Sequence, residues 1–587
     1  MKLETYMDED GIFELQKNKD KKYLCNFTAE IIGETESYDS SNKLIDRLYS
    51  IKMKLKDKVK EFDISERDFS YMNWPNKQIG SGAMIYPGPN NKELIKLAIQ
   101  SNSSDKKITK ELCVLGFNKG DNRNVFIHGK GVIAPKDMEI TECITVNLPE
   151  NLRLNELPLN DDEDRLKDAL TKCLSIFNLG NDNTTIGTIL LSAPFRSVLT
   201  EFQPNIVSSF ILGDTGSRKS SGAAISQSFF GPEYCDKTLP LHLVSTPTGI
   251  SLVAQKSKNT LLVADDYYPS PNSKNNEADK FIEQVVFASA TVTARATGKS
   301  ATQLADASAM NTLIMITGEV PLLTDKDSRH ARVMYCPVEL NTISLDQLSE
   351  CQEFAKNGDF SFAMRLFIQR VVDSYDKLKE LVPKKFIEYR YIASKLLNEQ
   401  DDDLHARSAS NAADIMLGVY YFLDFCKKHG VITKDKHSEL IERSWNDIIE
   451  LARTQDTIHT QYTPAAKIER AIACLLNDRE FHLLDIKTEG KPSILNVGWV
   501  NKKPQGDLLG YVDTDKKKVY IKSNFNVQLL FNKLPRGIKR LLRPESKTFW
   551  KDMREFGLIV DHDNDRRNTK TINGVRYYYL NLPSIFE

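Results

Sequence analysis

The stretch that most constrains this chain is Phe210-Ile-Leu-Gly213-Asp-Thr-Gly216-Ser-Arg-Lys219-Ser220-Ser221. An apolar run enters a glycine-containing turn and leaves through Lys-Ser into the small residues Gly222-Ala-Ala, which suit the start of a helix. Strand, turn and helix in that order let backbone N–H groups converge on a polyphosphate. The lysine adds a point charge, the hydroxyl a ligand for Mg²⁺, and the helix N-terminus a favourable dipole. The general pattern G-x-x-x-x-G-K-[ST] is met at Gly213, Lys219 and Ser220. Arg218 stands where the second glycine belongs, leaving Gly216 to supply flexibility. The candidate nucleotide-binding segment therefore runs through Gly213, Asp214, Thr215, Gly216, Ser217, Arg218, Lys219, Ser220 and Ser221. A Gly/Ser-rich surface turn with an exposed lysine is the plainer alternative, so a second element has to decide.

That element is Asn259-Thr-Leu261-Leu-Val-Ala-Asp265-Asp266. Four apolar residues followed by two acids read as a buried strand delivering carboxylates at its C-terminal end, the edge where open α/β sheets bind ligands. Asp265 is expected to hold the metal and Asp266 to orient the attacking water. A third strand, Thr312-Leu-Ile-Met-Ile-Thr317, is expected beside the phosphate-binding strand, with Thr317 near the γ-phosphate or the water. In Asp327-Ser328-Arg329-His330-Ala331-Arg332, an arginine just before an apolar strand suits a neighbouring subunit's γ-phosphate; Arg332 is the first choice and Arg329 the second. Arg407, at a helix start, is a candidate lid arginine over the nucleotide. Around Gly298-Lys299 small and β-branched residues suggest a hairpin that presents Arg295 and Lys299 to nucleic-acid phosphates.

The chain is 587 residues long, which exceeds what one hydrophobic core usually serves. The expected division is an N-terminal α+β domain (1–150), a linker and helical collar (151–204), an α/β core with a parallel sheet (205–345), a helical lid (346–460) and a C-terminal module (461–587). The alternating basic run from Ile51 reads as a solvated strand, and the segment from Asn147 to Asp164 as a linker. No apolar run approaches the roughly 18 residues of a membrane span, the start is polar and acidic, and the nine cysteines contain no C-x-x-C. These features point to a cytoplasmic chain with reduced thiols and no membrane partner.

Charge is unevenly placed. The whole chain carries a formal net charge of −1, yet residues 501–587 hold 18 Lys/Arg against 10 Asp/Glu. Helical patterns at Val527–Lys533, Ile538–Leu542 and Ser546–Phe556 precede a strand at Gly557 and a hairpin about Asn573-Gly574. That layout suggests a winged helix, with Lys547, Lys551 and Arg554 on one helix face and Arg566, Arg567 and Lys570 on the wing as DNA contacts.

Taken together, the chain resembles the AAA+ replicative helicases carried by staphylococcal pathogenicity islands and cassette chromosomes, relatives of the MCM helicases. Gly213-Asp-Thr-Gly-Ser-Arg-Lys-Ser220 is similar to the MCM loop, which also lacks glycine before its lysine. Asp265-Asp266 is closer to the pair of superfamily 3 viral helicases than to the Asp-Glu of MCM, and Ser328-Arg-His-Ala-Arg332 resembles the MCM Ser-Arg-Phe finger. Thr109 to Gly129 is similar to the amino-terminal domain of the same ATPases. The resemblance implies ATP and Mg²⁺ as cofactors, a homo-hexameric ring on single-stranded DNA, 3′-to-5′ translocation, a C-terminal winged helix on duplex DNA, and replication accessory partners. Two alternatives stand beside it: an AAA+ loader or remodeller that does not unwind, and an origin-binding protein with a decayed ATPase.

Overall fold

A computed structural model describes residues 5–268 apart from 18, 40–42, 104–105, 120–122, 141–142, 182 and 243–246. It then describes 286, 298–300, 303–304, 310–322, 331–398, and 407–586 apart from 495–496, 562–568 and 573. Its centre is a five-stranded, all-parallel sheet. The strands are β1 (Ser208–Leu212), β2 (Leu241–His242), β3 (Leu261–Tyr267), β4 (Leu313–Gly318) and β5 (Val333–Pro337), in the spatial order β2-β3-β4-β1-β5. Residues Ser208–Leu212 and Leu313–Gly318 are buried throughout, the near-continuous apolar pattern of strands covered on both faces. β4 lies beside β1, pairing Ile211 with Thr317 and Leu212 with Gly318, as its sequence suggested.

Helix α1 (Lys219–Gln227) follows β1, and Thr185–Val198, wholly buried, packs behind it. The helical block that follows β5 comprises Leu345–Lys356, Asp359–Asp373, Tyr375–Asn398, Ser408–Lys428 and Lys434–Arg453. Amphipathic periodicity over Phe362–Val372, Ala409–Phe425 and Ser438–Ala452 falls within four residues of three of these helices, whereas the pattern Phe386–Leu397 covers only the second half of Tyr375–Asn398. Arg196 and Asp414, each 1 % exposed, form an ion pair at 2.7 Å that joins the helix before the sheet to the helical block.

The N-terminal region carries its own core around Ile12, Ile51, Trp74 and Ile95, under a five-stranded sheet that includes Thr28–Tyr38 and Leu44–Leu55. The basic run from Ile51 is half a hairpin rather than a solvated strand. Ile51, Met53 and Leu55 face the core, the lysines between them face solvent, and the chain turns at Lys56 in a left-handed conformation before Lys58–Ser65. The segment 147–164 is not a free linker. Leu152 and Leu157 are buried, the Asn155 carbonyl accepts from Gly129 N at 2.6 Å, and Asn155 Nδ2 donates to the Tyr234 hydroxyl at 2.6 Å. Its Pro- and Asp-rich composition masked these spaced anchors.

The C-terminal module opens with α2 (Pro464–Asn477) and includes α3 (Arg536–Leu541) and α4 (Ser546–Glu555). Its sheet is larger than a two-stranded wing: Phe481–Asp485, Asp507–Asp513, Lys518–Lys522, Val575–Leu580 and Ile559–Asp561 lie in that order, with Lys570–Ile572 also on Val575–Leu580. The hairpin about Gly574 is present, Ile572 pairing with Val575 and Gly574 taking φ +80°. No described helix is long and apolar enough to cross a membrane.

Candidate nucleotide site

The loop after β1 has the backbone that its sequence asked for. A Cβ on Gly213 would lie 2.2 Å from the Val338 carbonyl and 2.7 Å from Ser217 Oγ, so only glycine fits. Gly216 takes φ +90°, and Arg218 itself takes φ +65°. The arginine thus adopts the left-handed turn that the usual glycine provides, at a cost of about 1–2 kcal/mol. Its guanidinium donates to the Ile343 carbonyl at 2.6 Å, which offsets that cost and ties the loop to the chain after β5. Lys219 opens α1 and is largely buried; among the described residues its ammonium meets one partner, the Asp214 carbonyl at 3.4 Å. Ser217 Oγ is buried and has no hydrogen-bond partner among the described residues. Ser220 and Ser221 sit half-buried on the first helical turn, the latter 3.5 Å from Asp236.

The carboxylates converge on the same edge. The β3–β4 register slips between Ala264 and Tyr267, a bulge that re-aims the two acids between them. Asp266 takes φ +59° there. Asp265 is 8 % exposed and accepts from Thr317 Oγ1 at 2.5 Å, while Asp266 N donates to the same hydroxyl at 3.1 Å. Thr317 is fully buried, and its hydroxyl is engaged with the acid pair rather than open to a phosphate. Gln227 of α1 clamps β3 by accepting from Val263 N at 3.0 Å and donating to the Leu261 carbonyl at 3.2 Å. Loop and carboxylates are therefore held in one frame.

A cavity of about 900 Å³ opens beside the loop, lined by Asp214, Thr215, Tyr268, Glu319, Lys467 and Gly537 among others. Three residues close to the loop or the acid pair, the first two of them lining this cavity, were not singled out from sequence. Glu319, just past β4, accepts from the Thr215 hydroxyl. Lys467 of α2 pairs with the Asp214 carboxylate. Arg540 of α3 lies 3.8 Å from Asp266 and 4.0 Å from Glu319. Glu319 had a local signal, an acid directly after an apolar strand; Lys467 and Arg540 arrive through tertiary packing alone.

Arg332 and Arg407 come together away from the loop. Arg332 precedes β5, whose first residue pairs with the first of β1, so it sits at the sheet edge opposite the loop, about 16 Å of strand away. It is 8 % exposed; burial, then the charge of Arg407, holds its pKa below the ordinary arginine value. Arg407 begins the helix Ser408–Lys428, and one turn on, Asn411 donates to the Ala331 carbonyl at 2.9 Å. Arg407 therefore lies beside Arg332, at the sheet edge opposite the loop of its own chain. Arg329 lies outside the described residues, as do Arg295, Arg566 and Arg567. Lys299 falls in Gly298–Ser300, which pairs antiparallel with Gln303–Leu304, so Gly298-Lys299 is strand rather than the turn itself.

On α4, Lys547 and Lys551 are exposed and Arg554 is half-buried; Lys551 lies 3.7 Å from Glu555. The opposite face is anchored by Phe549, Trp550, Met553 and the fully buried Asp552, which Arg543 grips. Trp550 stacks on Tyr578 at 3.8 Å, fixing the helix against the sheet. Lys570 lies over the Tyr579 ring, 5.6 Å from its centroid.

No protein-family model matches this sequence, and no curated protein does. Among solved structures, the chain is similar to one described as "SCCmec type IV Cch - active helicase", with TM-score 0.47, 12% identity, and 99% of this chain and 98% of that one covered. A looser likeness is to the C-terminal region of NrS-1 in its apo form, with TM-score 0.25, 9% identity, and 72% and 87% covered.

Proposed function

We propose that this chain is an ATP-dependent DNA helicase and replication initiator of a mobile genetic element, an AAA+ machine that translocates on single-stranded DNA as a hexameric ring. The observation that carries the reading is the convergence of Gly213–Ser220 and Asp265–Asp266 on one edge of a parallel sheet, with Thr317 bonded to both acids. The loop amides and Lys219 bind the phosphates, and Asp266 orients the attacking water. The donor set, the Ser220 hydroxyl and the Asp265 carboxylate, suits Mg²⁺, which when bound supplies charge neutralisation to the β- and γ-phosphates. The place of Arg332 and Arg407, opposite the loop, supports a role toward the nucleotide of an adjacent subunit rather than their own. The helices 345–453 serve as the lid, and Arg295 and Lys299 as DNA contacts in the channel.

The basic C-terminal module, with Lys547, Lys551, Arg554, Arg566, Arg567 and Lys570, acts as a winged helix on duplex DNA. The likeness of the loop and acid pair to those of MCM-type and superfamily 3 helicases supports unwinding over other uses of ATP. A forked duplex given protein, ATP and Mg²⁺ tests the reading. Strand separation abolished by Lys219→Ala supports it. Turnover without separation replaces it with a loader or remodeller, and an absence of turnover with an origin-binding protein.

A further inference from the structure

The C-terminal module reaches into the candidate nucleotide site at three points. Lys467 of α2 pairs with Asp214, the second residue of the phosphate loop. The backbone of α3 comes so close to the end of β4 that a Cβ on Gly537 would lie 2.7 Å from Glu319 Oε2. One turn on, the Arg540 guanidinium lies over the Tyr268 ring, 5.3 Å from its centroid, with Asp266 at 3.8 Å and Glu319 at 4.0 Å. Both distances are beyond hydrogen-bond length, and the Arg540 and Asp266 side chains are about half exposed, so the guanidinium is held loosely between two acids. Glu319 in turn accepts from Thr215 of the loop. Arg540 thus stands beside Asp266 and Glu319, at the sheet edge that carries the loop; on the proposed function, the distal end of a triphosphate would fall there.

We propose that Arg540 is a nucleotide-state sensor built into the C-terminal module: it rests on Asp266 and Glu319 without ATP and turns to the terminal phosphate when ATP binds, so that α3 and the module behind it follow the nucleotide. The inference rests on the nucleotide reading of the Gly213–Ser220 loop. The driving force is the exchange of two long carboxylate contacts for a charge-assisted, bidentate contact with phosphate. ADP lacks the terminal group and leaves Arg540 at rest. Lys467 on Asp214 gives the same module a second hold on the loop, so a turn of α3 is felt at the phosphates.

The test uses the full chain with fluorescent analogues of ADP and of non-hydrolysable ATP, together with hydrogen exchange of the α3 amides. Arg540→Ala is expected to bind the ATP analogue about tenfold more weakly while ADP binding stays within about twofold, and Arg540→Lys to recover part of the loss. In the unaltered protein the ATP analogue, and not ADP, is expected to change exchange at residues 536–541, an effect that Arg540→Ala abolishes. Equal affinity of Arg540→Ala and the unaltered chain for both analogues overturns the proposal, and so does an equal loss for both. Uptake of neither nucleotide by the unaltered chain overturns the proposed function and this inference together; uptake with no role for Arg540 overturns the inference alone.

Discussion

Thr317→Val is the substitution that separates a working acid pair from a strand that merely ends in acids. The side chains have nearly the same shape, so the exchange leaves no cavity. It removes the donor to Asp265 at 2.5 Å and the acceptor for Asp266 N at 3.1 Å. A hydrogen bond to a charged group contributes about 1.5–3 kcal/mol. Because Asp265 is largely buried, water does not readily replace the lost donor. Less the gain from an added methyl group, the net destabilisation is about 1–2 kcal/mol, a fall of roughly 4 °C in the melting midpoint. The functional effect is larger, since Asp266 holds a left-handed backbone that its bond to Thr317 secures. ATP turnover is expected to fall at least about tenfold, with nucleotide affinity within about twofold. Thr317→Ser, which keeps the hydroxyl, is expected to stay within about threefold in turnover. Turnover and melting midpoint unchanged in Thr317→Val would refute the assignment of this hydroxyl to the acid pair.

Gly213→Ala drives a methyl group into the Val338 carbonyl and Ser217; nucleotide binding by the full chain is expected to weaken at least about tenfold, and normal binding would contradict the loop geometry. Asp414→Ala leaves the Arg196 guanidinium buried without its carboxylate, and chemical denaturation is expected to show a loss of about 3–5 kcal/mol in the central unit. His128 is a buried imidazole whose Nδ1 accepts from Leu157 N at 3.2 Å; burial, then Arg365 and Lys130, pushes its pKa down from 6.5 to about 4. The folded chain keeps it neutral where the unfolded chain takes up a proton. Its contribution is therefore fully present above about pH 6.5 and lost as pH falls towards 4, by at most about 3 kcal/mol; urea melts at pH 7 and pH 5 measure the slope, which His128→Gln is expected to reduce.

Local chemistry made part of this molecule legible in its sequence. Apolar runs ending in Gly213, Asp265 and Thr317 marked three strands of the sheet, because a strand covered on both faces needs continuous hydrophobicity and its end shows as a change of residue type. The expected helical block of 346–460 matches a run of helices from Leu345–Lys356 to Lys434–Arg453, because helical periodicity shows wherever an amphipathic face is buried. Contacts made across the fold were hidden. Nothing near Arg540 or Lys467 in sequence says that a residue more than 200 positions from the phosphate loop returns to it. Arg407 showed in the sequence only as a helix start, which looks alike whichever edge of the sheet it faces; the bond from Asn411 to Ala331 fixes its edge in three dimensions. Arg218 shows the converse: a departure from the glycine pattern that the fold absorbs through one hydrogen bond to Ile343.

The most direct test of the account is DNA-stimulated ATP hydrolysis by the purified full chain, measured beside Lys219→Ala and Asp266→Asn. Turnover that rises with single-stranded DNA and disappears in both variants is the predicted result. Turnover that persists in both would mean that the loop and the acid pair do not form one site.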